Sequence, residues 1–209
     1  MRATKHPIAW PEMATSTADH RRATAERNVE AILDAAEALL RRRAQPSIAA
    51  VAKEAGVSRV TVYSHFATRE ALVEAVVARV TRAATASIEE ARPSEGEPME
   101  ALERVLTVAW AELERQEAIR QAASEDLSAE AVWRAHQSAA RAVRRLIERG
   151  RRSGAFRADL PVQWMLVSVL SLLHAAADEV REGRLQAKTA ESAVKKTVLE
   201  LFAGSAQAS

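Results

Sequence analysis

The stretch 47–72, SIAAVAKEAGVSRVTVYSHFATREAL, constrains this chain more than any other. Ser47 suits the N-cap of a short helix in which Val51, Ala52 and Ala55 turn inward. Ala52 is small enough for a second helix to cross closely. Gly56 follows where a residue with positive φ is needed to end the first helix. Val57 plugs the angle between the two helices. Ser58 caps the second helix, which buries Val62 and Phe66 and turns Arg59, Thr61, Tyr63, Ser64 and His65 outward. A small residue, a glycine and a branched residue at this spacing predict a helix-turn-helix. The outward groups are ones that hydrogen-bond base edges or phosphate oxygens, and the Thr61 methyl can touch a thymine methyl. Arg69 stands in the first turn of the next helix, where a cation opposes the dipole and a phosphate offsets that cost.

The rest of the chain reads as helix. Apolar residues recur at 3.6-residue spacing in segments near 25–43, 68–91, 98–117, 128–150 and 187–203, with a shorter helix near 118–126. The prediction is an all-α fold of about nine helices without strands. Residues 1–22 mix Pro, Thr, Ser and His without periodicity and are read as a flexible tail. PSEGEP at 93–98 reads as a linker, so the expected division is a DNA-binding domain with its connecting helix at 23–91 and a second domain at 92–209. Segment 161–182 differs from the others. Trp164, Met165, Leu166, Val167, Val169, Leu170, Leu172 and Leu173 surround its axis, so it is expected to be buried on several sides.

Charge and composition narrow the function classes. Residues 21–82 carry 11 basic against 7 acidic side chains, whereas 83–209 carry 17 against 19. A basic N-terminal third suits phosphate contact. The absence of cysteine excludes disulfides, thiolate metal sites and a Cys nucleophile. No stretch is long and apolar enough for a bilayer, and the first residues resemble no signal peptide, so a cytoplasmic protein without membrane partner is expected. There is no phosphate loop of the Gly-x4-Gly-Lys type and no dinucleotide fingerprint. Ser168 and His174 lie on no strained elbow, so no enzyme, metal or cofactor is expected.

The 47–72 string resembles the N-terminal domain of the TetR family of bacterial transcriptional regulators. Ser47-Ile48, Val51-Ala52, Ala55-Gly56-Val57-Ser58, Thr61-Val62-Tyr63, Phe66 and Arg69-Glu70-Ala71-Leu72 carry the resemblance. Gly154 to Pro161, GAFRADLP, is similar to that family's connection before its penultimate helix. The resemblance implies that Ser47, Ser58, Arg59, Thr61, Tyr63, His65 and Arg69 contact a palindromic double-stranded DNA operator. It also implies a homodimer through the last two helices and an unknown small-molecule effector. The expected dimer face is Met165, Val169, Leu172, Leu173, Val194, Val198, Leu201 and Phe202. Leu106, Trp110, Trp133, His136, Trp164, Ser168 and His174 are the candidate ligand contacts, with core or interface packing as the alternative for each. Their aromatic, mostly uncharged character points to an apolar or aromatic ligand. A DNA-binding protein with no small-molecule effector, controlled by a protein partner or acting structurally, is the competing reading.

Overall fold

The computed structural model describes residues 13–42, 44 and 46–203, and omits the side chains of 13–18, 123–125, 129, 132 and 133. Arg43, expected in the last turn of the first helix, and the Trp133 side chain lie outside the described residues. Among the described residues the chain forms nine α-helices and no strand, apart from one isolated bridge between Phe156 and Ala203.

The helices fall into two compact units, 1–72 and 73–209. The first holds α1 (Met13–Arg41), α2 (Ile48–Glu54), α3 (Arg59–His65) and the opening turn of α4 (Arg69–Glu90). The division falls inside α4, whereas the sequence reading kept all of that helix with the N-terminal domain. The reading of 1–22 as tail also differs from the structure, because α1 starts at Met13. No Pro or Gly interrupts the chain between Pro11 and Pro46. Ala and Arg sustain the first turns of α1, which have no apolar stripe, helped by the Arg22–Glu26 pair at 3.0 Å, four residues apart. In this unit α1, α2 and α3 pack on one another, with Ile32, Ala36, Leu40, Val51 and Val62 buried.

The second unit continues α4 and adds α5 (Pro98–Arg115), α6 (Glu117–Asp126), α7 (Ala129–Arg152), α8 (Val162–Arg181) and α9 (Ala187–Phe202). Helix α8 packs on α5, α7 and α9, and α5 also packs on α7 and α9. These neighbours account for part of the apolar surface of α8, while Trp164 stays 58% exposed. Met165, Leu166, Val169 and Leu173 are buried in a core shared with Leu102, Leu106, Trp110, Leu146, Val194, Val198 and Phe202. Two arginines clamp the 91–97 turn. Arg104 donates to the carbonyls of Ala91, Arg92 and Glu95, and Arg149 to those of Pro93 and Gly96. The GAFRADLP segment joins α7 to α8, the penultimate helix, and folds Phe156 back under the end of α7.

Candidate nucleic-acid interface and ligand cavity

The turn between α2 and α3 is built by local chemistry. Ser47 Oγ accepts from the Ala50 amide at 3.2 Å, and Ser58 Oγ accepts from the Thr61 amide at 3.0 Å. Both serines thereby satisfy amides that a helix start leaves unpaired. Gly56 adopts φ 66°, the left-handed value expected of it. Thr68 caps α4 by accepting from the Ala71 amide at 3.1 Å. Glu70 beside it is held below its ordinary pKa by its own backbone amide and by the Thr68 hydroxyl.

Helix α3 is anchored by Val62, which is fully buried, while Phe66 is only half-buried. Its outward face carries Arg59, Tyr63 and Ser64, all exposed, with Tyr63 at 56%. Thr61, His65 and Arg69 are half-buried. The Thr61 and Ser64 hydroxyls are engaged inside the helix: Thr61 lies 2.8 Å from Ser58 Oγ, and Ser64 donates to the Thr61 carbonyl at 2.8 Å. The sequence reading missed Val60, the most exposed large apolar side chain of the described residues at 77%. Its signal was present, since Val60 lies next to Arg59 and one turn from Ser64. A valine beside a buried Val62 reads as core until the helix is oriented.

The second unit holds a cavity of about 70 Å³, partly open to solvent, between α4, α5, α7 and α8. Its apolar wall includes Ile88, Leu113, Leu170 and Leu173; its polar wall is Thr81, Glu112, Gln116, His136 and His174. The two imidazoles meet edge to face with centroids 5.7 Å apart. Burial lowers the His174 pKa to about 4, assisted by His136 and by the Arg120 guanidinium. Arg120 is itself paired with Asp178 at 2.7 Å.

Of the described residues expected to touch a ligand, only His136 and His174 line this cavity. Leu106 and Trp110 are buried in the core instead. Trp164 is 58% exposed, and Ser168 is half-buried outside the wall. Among the described residues the wall is aliphatic, with two imidazoles and a buried acid, not the uncharged aromatic lining expected from the tryptophans. Glu112 was missed although the sequence marks it: it falls on the inward stripe of Leu102, Val105, Leu106, Ala109 and Leu113.

The expected dimer face is also placed differently. Met165, Val169, Leu173, Val194, Val198 and Phe202 are each at most 6% exposed within the single chain, leaving only Leu172 and Leu201 half-exposed. Period-3.6 patterning records that a side is buried, not which neighbour buries it.

Residues 32–76 match the family model of bacterial regulatory proteins, tetR family. The matched segment spans α2 and α3 with the adjoining parts of α1 and α4. The fold of this TetR-like chain extends across known regulators as well. LfrR from Mycobacterium smegmatis, solved in complex with proflavine, is 23% identical over 85% of this chain and 97% of its own, with a TM-score of 0.61. PfmR from Thermus thermophilus is 22% identical over 81% and 97%, with a TM-score of 0.62. FadR from Bacillus subtilis, in complex with stearoyl-CoA, is 14% identical over 83% and 98%, with a TM-score of 0.71. A search of curated protein sequences found no match. The chain thus has the fold of a TetR-family transcription regulator, and none of its described helices is long and apolar enough to cross a membrane.

Proposed function

We propose that the protein is a transcriptional repressor that binds a palindromic DNA operator as a homodimer in the cytoplasm and is released by a small apolar or aromatic ligand. The observation that carries the reading is the outward face of α3, where Arg59, Val60, Tyr63 and Ser64 are exposed on a helix locked by the Ser58 cap and buried Val62. Arg59 and Tyr63 supply donors for phosphate or guanine, and Val60 supplies an apolar group for the thymine methyl. Ser47 and Ser58 act chiefly by fixing the helix starts, with the amides there available to phosphate. Arg69 and His65 flank the face.

Two recognition helices must lie about 34–36 Å apart to enter successive major grooves, hence the homodimer and the palindrome. The outer stripe of α8, with Trp164, Ser168, Ser171, Leu172 and Ala175 four, three, one and three residues apart, is the surface we assign to the second copy. Trp164 at its end is a large aromatic left in water by the single chain.

Helix α4 links reading head and cavity. The helix carries Arg69 in its first turn and Thr81 in the cavity wall. The cavity, at about 70 Å³, holds little more than two waters. A ligand that enters must therefore part the helices around it, and α4 is one of them. Ligand affinity for the parted state over the closed one is what shifts the equilibrium. The same small volume favours the competing reading, a DNA-binding protein with no small-molecule effector.

Operator selection from random DNA, followed by binding with and without candidate ligands, tests this. A palindromic site released by ligand is expected. A site bound equally with every ligand that stabilises the protein would favour the second reading, and no selected sequence would refute both.

A further inference from the structure

Thr81 and Glu112 are the buried polar and charged residues among those described, and both line the cavity between α4, α5, α7 and α8. An acid on the inward stripe of a helix is strongly unfavourable unless something meets it. Here Gln116 Nε2 donates to Glu112 Oε2 at 3.0 Å, and Arg115 Nη1 lies 3.0 Å from Oε1. The two ends of this pair differ sharply: the Arg115 side chain is 60% exposed, against 7% for Glu112. The guanidinium charge is therefore largely screened by solvent, while the carboxylate stays in the wall of an apolar cavity.

Resting on the effector reading above, we propose that this cavity takes a compact ring-bearing molecule with a protonated amine, the ammonium seated on Glu112 and the rings against Ile88, Leu113 and Leu170. A carboxylate has lone pairs beyond the two already engaged, so it can accept from a ligand donor without losing Gln116 or Arg115. A desolvated ammonium–carboxylate contact is stronger than the same contact to a neutral donor. Burial holds the His174 pKa near 4, so that ring adds no charge to the wall at pH 7. Arg120, whose charge bears on His174, is paired with Asp178, which Arg181 also approaches at 3.5 Å. A carboxylic acid ligand would instead face Glu112 directly. Leu113 and Leu170, both half-buried, are the side chains that must move to enlarge the space.

The test uses the full chain and three probes of one shape: 1-naphthylmethylamine, 1-naphthalenemethanol and 1-naphthoate. Affinities are measured by calorimetry at pH 7.5 on the wild type and on Glu112→Gln. The amine is expected to bind about tenfold tighter than the alcohol, the order of a charge-assisted over a neutral hydrogen bond, with the naphthoate weakest. In Glu112→Gln the amine should fall to the alcohol's level while the alcohol is unchanged, which also shows that the variant is folded. Equal binding of all three in the wild type, preference for naphthoate, an amine preference that survives Glu112→Gln, or no binding of any probe would overturn the proposal. If the variant fails to fold, the wild-type charge series decides alone. Operator binding by the same preparation separates this failure from failure of the DNA-binding reading.

Discussion

Gly150 offers a clean perturbation of the second unit. It sits in the last turns of α7, and a Cβ built there would lie 2.2, 2.4 and 2.6 Å from three ring carbons of Phe156. Phe156 cannot swing aside. It is 2% exposed, packs edge to face on Phe202 with centroids 5.2 Å apart, and its amide donates to the Gly150 carbonyl at 3.0 Å. Its neighbour Arg157 donates its amide to the Phe202 carbonyl at 3.0 Å, tying the segment to the end of α9. Gly150→Ala would ordinarily stabilise a helix by up to about 1 kcal/mol. Moving the ring by more than 1 Å in a filled core costs about 1–3 kcal/mol, and the upper half of that range applies where both backbone and ring are held. The net expectation is a loss of about 1–2 kcal/mol, or a Tm lower by roughly 3–6 °C. Scanning calorimetry on the full chain measures it. Introduced into Phe156→Leu, the same change should become neutral or stabilising, because the obstructing ring edge is gone. A Tm that rises with Gly150→Ala in the wild type would refute the reasoning.

On the selected operator, Tyr63→Phe should weaken binding severalfold by removing one phosphate hydrogen bond. Arg69→Ala should weaken it across all sequences and reduce the slope of log affinity against log salt by about 1; unchanged affinity and slope in both variants would exclude the docking. Val60→Ala should cost about 1 kcal/mol, as should replacing the contacted thymine by uracil, and the two losses should not add if Val60 touches that methyl. Acid should destabilise the second unit through His174. Its folded pKa of about 4 lies below the ordinary 6.5, so between those values the unfolded chain binds the extra proton. Stability is full above pH 6.5 and falls as pH drops towards 4, by ~1–2 kcal/mol given the partial exposure of the ring. Tm against pH should lose this component in His174→Gln.

What could be read along the chain was what neighbours in sequence decide. The Ser47, Ser58 and Thr68 caps, the positive φ of Gly56 and the helix edges near the prolines depend on hydrogen bonds and sterics spanning at most four residues. The outward face of α3 follows from them, since fixing one buried residue, Val62, orients the whole helix. The early start of α1 was not legible, because its first turns, MATSTADHRRAT, have no apolar stripe and hence no periodic signal. Tertiary structure alone decided what buries α8: Met165 and Val169 meet α5, α7 or α9 of their own chain, and a stripe is silent about which surface covers it. It alone made the cavity, whose walls come from helices up to 93 residues apart, Thr81 to His174. And it alone gave Glu112 its place there: the helical stripe puts the acid inward, but whether it meets a partner, solvent or a cavity depends on the side chains of three other helices.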